Sequence, residues 1–252
     1  MGSWVRRGLL TVVVVVACAH PASAAFASVG TIGTSVTAAG DSLVFTVDAG
    51  GAASGNLVCL GTATNSATIP VGVSDSKSNT WAKLGEVTRT GLSVSLYCST
   101  LTSALVAADT ISVDYAGSQT GSAGGWEWSG ITGQPTVDVS NTGNNGTAID
   151  VPPTASITTT VANDLVVAIT AISSAASTTL DHNPPTNYTA GPLKTDGSPE
   201  FYMVYSIISG TATRAWDSNQ WNKTGNVGTV NVGIKLTSSA SPPMRSLLGV
   251  GQ

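Results

Sequence analysis

The chain has 252 residues, a formal net charge of −4 and only 10% charged residues, against about 25% in an average soluble domain. The balance is acidic and has no Lys/Arg cluster, which excludes the electrostatic footprint of a nucleic-acid partner. Disorder is excluded as well, because Val, Ile and Leu recur in short alternating runs that a disordered chain lacks.

The first residues carry Arg6 and Arg7, then an apolar run from Leu9 to Ala17, then Ala22-Ser23-Ala24 before Ala25. A charged start, an apolar stretch and an A-x-A site predict a cleavable signal peptide over residues 1–24. The run is too short for a membrane-spanning helix, and nothing later supplies the roughly 20 apolar residues that one needs. The expected location is therefore secreted or cell-surface, with no membrane span. Val15-Val16-Ala17-Cys18 offers the alternative of a lipid anchor at Cys18. Cleavage after Ala24 removes two arginines and no acid, leaving a net charge of −6. Cys59 and Cys98 are then the two remaining cysteines. In an oxidising compartment they predict one disulfide, worth roughly 4 kcal/mol on the chain-entropy model; the alternative is a pair of buried thiols.

From residue 25 onward strand signals recur every ten to fifteen residues, separated by Gly, Asn, Asp, Ser and Pro. No segment holds a 3.6-residue apolar period for three turns. Strands are expected at Leu43–Val47, around Leu57-Val58-Cys59-Leu60, and at Thr80–Val87, Leu92–Cys98, Thr110–Tyr115, Gly125–Ile131, Ser156–Thr160, Leu165–Ile172 and Phe201–Ile208. A hairpin at Ser209-Gly210 would return through Thr211 to Trp216, and Val230–Leu236 closes the series. Leu92, Val94, Leu96 and Cys98 share one face of their strand, with Cys59 as an inward partner across the core. Together these predict an all-β protein: a two-sheet antiparallel β-sandwich of jelly-roll type over residues 25–237, with a flexible tail over 238–252. The Leu57-Val58 and Leu165-Val166 regions are faintly alike, which leaves room for two similar halves.

The segment Trp126-Glu127-Trp128 places both indoles on one strand face and the carboxylate on the other. Either the rings are core anchors and Glu127 is solvated, or they form a platform for a sugar ring. In the second case Glu127 is buried and needs a partner such as Arg89 or Arg214. With Trp216 and Trp221, these two tryptophans are the candidate ligand-binding residues. Glu127 and Glu200 could also serve as the carboxylate pair of a glycoside hydrolase. Against that, Glu86, Glu127 and Glu200 are the only glutamates, and no E-x-D-x-x-E run occurs. Nucleophilic hydrolysis has less to offer, since His182 is the sole histidine beyond the leader and there is no G-x-S-x-G elbow. No metal or cofactor site is expected. The stretch from Asp75 to Glu86 imitates a calcium loop but has Lys77 at a ligand position and Thr80 where Gly is required, so a hairpin-forming turn leading into Trp81 is the better reading.

Five strings taken together resemble a recurrent β-sandwich module of exported bacterial surface proteins and of phage tail or virion-associated proteins. They are Gly55-Asn56-Leu57-Val58, Val73 through Trp81, Ala108-Asp109-Thr110-Ile111-Ser112-Val113, Glu127-Trp128-Ser129-Gly130-Ile131 and Ala162-Asn163-Asp164-Leu165-Val166-Val167. The resemblance implies adhesion, display or glycan contact rather than turnover, and carries no catalytic set. Ser78 stands where such modules have Gly, so the turn there is expected to be built differently. The leading expectation is a secreted, non-enzymatic module that binds a surface polymer, carbohydrate or cell-wall glycan. The alternatives are a glycoside hydrolase using Glu127 and Glu200, and a self-associating coat or appendage subunit.

Overall fold

The computed structural model describes residues 25–33, 36–131, 133–145, 154–173, 183–195, 198–216 and 225–235. The expected signal peptide, the tail, Cys18, His182 and Trp221 lie outside these residues. The described chain is all β, with no helix. The first sheet has seven antiparallel strands: β1 (Ala27–Thr31), β2 (Val36–Thr46), β3 (Leu57–Thr64), β4 (Gly72–Asp75), β5 (Ala82–Arg89), β6 (Leu92–Thr100) and β7 (Thr110–Ser129). The second has five: β8 (Thr136–Asn145), β10 (Asp164–Ser173), β11 (Thr189–Lys194), β12 (Glu200–Ile208) and β14 (Asn226–Lys235). A ribbon of β9 (Ile157–Thr158) and β13 (Thr213–Arg214) lies outside both.

The two sheets pack face to face. Leu57 and Cys59 of β3, with Leu92, Val94, Leu96 and Cys98 of β6, meet Leu165, Val167 and Ile169 of β10 and Val230, Val232 and Ile234 of β14. Glycines inside the strands make the close approach possible. A Cβ on Gly61 would come within 2.8 Å of Ile169, and one on Gly85 within 2.6 Å of Val230. Each sheet also has a covered outer face. Val58 and Leu60 turn away from the interface and pack with Ile32, Phe45, Ile111 and Val113, while Val166, Ala168 and Ile172 pack under Ile157 and Trp216. Apolar burial on both faces explains why β3 and β10 read as nearly continuous apolar runs rather than alternating ones.

The suggestion of two similar halves has a topological counterpart. Five strands of the first sheet run β1-β7-β3-β6-β5, and the second runs β8-β14-β10-β12-β11. Numbered by chain order within each set, both read first-fifth-second-fourth-third. The agreement extends to single residues. Leu57 lies opposite Trp128 and Leu165 opposite Ile234, and each leucine follows, two residues on, a residue of left-handed backbone, Gly55 (φ 85°) or Asn163 (φ 63°). The edge strand skips one residue at the same place in each half: Val29 between the partners of Trp128 and Glu127, and Asp138 between those of Ile234 and Gly233.

Several sequence expectations are corrected. Thr110–Tyr115 and Gly125–Ile131 are not separate strands but the two ends of the single strand β7; its pairing with β2 shifts register between Asp114 and Gln119 and resumes over Gln119–Ala123, and β3 joins it from Gly121 onward. From Gly121 to Ala123 the strand is paired on both sides, which overrides the turn-like composition there. β12 does not form a hairpin with Thr211–Trp216; β13 pairs with β9 instead. Cys59 and Cys98 do form a disulfide, with Cα atoms 4.1 Å apart, but as directly opposed residues of adjacent β3 and β6 rather than across the core. Finally, β4 and β5 do not pair with each other around the Asp75–Thr80 turn, since β4 joins β7 and β5 joins β6.

Candidate functional site

The Trp126-Glu127-Trp128 segment sits on β7 with neither face left bare. Trp128 points into the interface and is fully buried, and Glu127 points outward and is only 4% exposed. The expectation that one of the two faces must be solvated is therefore corrected: the outer core layer covers the second. Glu127 is not paired with Arg89 or Arg214. Its Oε1 accepts from the Ala53 amide at 2.8 Å and from Asn56 Nδ2 at 2.7 Å. Arg89 donates to Asn144, and Arg214 to Ser206. A carboxylate receiving two N–H donors in a low-dielectric site is stabilised without a counter-charge.

Glu200 is not brought to Glu127. Glu127 lies opposite Val58, in the outer layer of the seven-stranded sheet. Glu200 lies opposite Ile172, in the outer layer of the five-stranded sheet. The two carboxyls point away from each other across a pair of sheets whose spacing alone is about 10 Å. A lateral offset adds to this. Pro199 accepts from Ser122 Oγ at 2.6 Å, and Ser122 is five residues from Glu127 along β7, about 17 Å at the rise of an extended strand.

Of the four candidate ligand-binding tryptophans, Trp128 and Trp216 are fully buried. Trp216 meets Tyr202 edge to face, with ring centroids 6.0 Å apart. Both are packing anchors, which corrects their assignment as contact residues. Trp126 is different. Its ring is half-buried and tilts against Tyr205, centroid to centroid 5.5 Å. Its Nε1 donates to Ser28 Oγ at 2.9 Å, and the Tyr205 hydroxyl donates to the same oxygen at 2.9 Å. Ser28 belongs to β1, which among the described strands pairs only with β7 and leaves four of its five residues exposed. The indole N–H is thus already satisfied, and what Trp126 can offer a ligand is ring surface beside the outer β1 edge.

The Asp75–Trp81 turn is built around the Asp75 carboxylate, which accepts from the amides of Lys77 and Asn79 at 2.8 and 3.2 Å and from Trp81 Nε1 at 2.7 Å. Ser78 takes φ 60°, so the turn uses the left-handed backbone that a glycine would favour. Buried Asn79 accepts from the amides of Thr102 and Ser103, at 2.8 and 2.9 Å, and ties the turn to the β6–β7 connection.

One pair of titratable residues was not singled out from the sequence. Asp164, at the start of β10, is fully buried, and neither of its carboxylate oxygens receives a hydrogen bond from a donor among the described residues. Burial, then the charge of Asp138 and a hydrogen bond shared with it, push the Asp164 pKa up to about 7, while Lys235 pulls it down. Burial also acts to raise Asp138, but the Thr160 hydroxyl and amide, Asp164 and Lys235 outweigh it and hold Asp138 below the usual carboxylate range. Asp138 is the extra residue of the β8 bulge, a device that re-aims a side chain. The available signal was an acid placed directly before the apolar run Leu165-Val166-Val167. Among the described residues no cluster of His, Cys, Asp and Glu could hold a metal ion.

No protein-family model, curated protein or solved structure matches this chain. The fold and its sites therefore rest on their own geometry. The disulfide is compatible with an extracellular protein, and no helix among the described residues is long and apolar enough to cross a membrane.

Proposed function

We propose that the chain is an exported, non-enzymatic two-sheet module that binds a surface polymer, carbohydrate or cell-wall glycan, through Trp126 and the β1 edge. The observation that carries this reading is the half-buried Trp126 ring, braced from behind by Tyr205 and fixed in orientation by Ser28. A rigid aromatic surface with its polar atom already satisfied suits stacking on a sugar ring. Export is supported by the leader-like residues 1–24 and by the disulfide. A jelly-roll connectivity draws no support from the strand order, which fills one sheet with β1–β7 before the other, so the reading rests on the two-sheet architecture. The hydrolase alternative draws no support from Glu127 and Glu200, which point to opposite sides.

The test is sedimentation of the processed chain with insoluble cell-wall glycan, chitin and cellulose, comparing Trp126→Ala with the parent. Retained folding with at least a tenfold loss of binding to one polymer is expected, and unchanged binding to all of them sinks the assignment. Trp221→Ala in the same assay examines the candidate outside the described residues. A second reading, self-association as an appendage subunit, is favoured by the outer edge of β1, which no described strand covers. Size measurement at high concentration decides it, since a clean monomer removes it.

A further inference from the structure

We infer that Asp138 and Asp164 form a one-proton carboxyl pair that fastens the β9–β13 ribbon to the five-stranded sheet in mild acid and loosens it as the solution passes neutrality. Asp164 is fully buried, its two oxygens have almost no accessible surface, and no N–H or O–H of the described residues reaches them. A buried carboxylate in that state is costly. Among the described residues its side chain shares a hydrogen bond with another carboxylate, Asp138, and two carboxyls can share one only with a proton between them. A proton fits where a hydrated cation does not, because the Asp164 oxygens offer no surface to coordinate one.

The pair reaches the ribbon through Asp138. Thr160, two residues beyond β9, donates its amide to Asp138 Oδ2 at 2.6 Å and its hydroxyl to Oδ1. The adjacent Thr159 amide donates to Ala212 at 3.0 Å, just before β13. The ribbon's Ile157 and, just beyond β13, Trp216 pack onto Val166, Ala168 and Ile172 in the outer core layer. Around Asp164 the charged groups among the described residues are Asp138 on β8 and Lys235, its register partner on β14. β12 presents Ile208 opposite it, and the ribbon's Arg214 is engaged by Ser206 and the Thr213 carbonyl.

The direction of the pH effect follows. Asp164 is raised from the usual 3.8 to about 7, so its contribution to stability is complete below 3.8, declines as pH rises and is gone above about 7. Asp138 is lowered, so its contribution is complete above 3.8 and is lost as pH falls further. The corner is firmest slightly above pH 4 and loosens toward neutrality.

Hydrogen exchange of the full chain at pH 5 and pH 8, corrected for intrinsic rates, tests this at the Thr159 and Thr160 amides. At least tenfold lower protection at pH 8 is expected. In Asp164→Asn, whose amide supplies a permanent donor to Asp138, the difference should vanish. Equal protection at both pH values, or a difference that survives in Asp164→Asn, overturns the proposal. So does recovery of protection at pH 8 with millimolar calcium, which would put a cation in place of the proton. Should Asp164→Asn fail to fold, the carboxyl carbon of Asp164 in the parent protein decides by its NMR titration: a midpoint near 7 is expected, and one in the usual carboxylate range overturns the pair.

Discussion

At the start of β3, Asn56 donates its amide to Glu127, whose carboxylate also takes the Ala53 amide. At the start of β10 the equivalent position holds Asp164, which meets Asp138 and receives no donor among the described residues. Both positions lie one residue before a fully buried leucine and one residue after a left-handed backbone, and both are beside an edge-strand bulge. The first corner balances one acid with two N–H groups and needs no shared proton. The second sets acid against acid and needs a proton. Equal topology therefore fixes where a polar side chain will sit, half-buried at Asn56 and fully buried at Asp164, while side-chain identity decides whether its closure depends on solution conditions.

The largest effects expected concern what only the first half possesses. Trp128→Ala empties the position opposite Leu57 and should cost about 3–5 kcal/mol in denaturant unfolding, whereas Trp126→Ala, at a half-buried ring, should cost distinctly less. Equal losses would contradict the assignment of one ring to packing and the other to contact. Next comes the disulfide, which has no counterpart in the second half. Replacing both Cys59 and Cys98 with Ser should remove roughly 4 kcal/mol or less, since engineered and native bridges often deliver less than the loop-entropy figure. Recovery of full stability would show that the bridge adds nothing to the sheet pairing.

A smaller effect makes the two corners alike. Asn56→Asp replaces the donor to Glu127 with a second carboxylate and should cost about 1–3 kcal/mol at neutral pH. It should also give the first corner a loss of stability with rising pH that the parent lacks there. A variant whose melting temperature falls equally at pH 5 and pH 8 would break the comparison. The smallest change is at the left-handed residue. Asn163→Gly copies Gly55 and should shift stability by less than about 1 kcal/mol, whereas Asn163→Val, a β-branched residue at positive φ, should cost about 1–2 kcal/mol. If valine were tolerated, the left-handed turn would not be a requirement of the second half.

Legibility in the sequence followed the local or non-local origin of each feature. β6 and β14 could be read residue by residue, because strict alternation reports one face against another. β8 was missed, since Ser140-Asn141-Thr142-Gly143-Asn144 has the composition of a loop and is a strand only because β14 supplies the pairing. The unbroken course of β7 was missed for the same reason. At the sites, the tryptophans could be selected but not sorted: nothing local separates Trp126 from Trp128, two residues apart on one face, and only the position of Tyr205 and β1 leaves the first ring partly open. The Asp138–Asp164 contact joins strands 26 residues apart through a bulge that no spacing rule announces.

An all-β chain, its principal strands and the cysteine pair could be read from residue order, because strand periodicity, turn residues and cysteine count are local properties. Tertiary structure alone decided which faces are covered. Burial of both faces of β3 and β10 took Trp128, Trp216 and Glu127 out of contact with solvent, turned Glu127 and Glu200 away from each other, and pressed two aspartates together. Those outcomes depend on which sheet packs over which, a relation between distant segments that no window of residues contains.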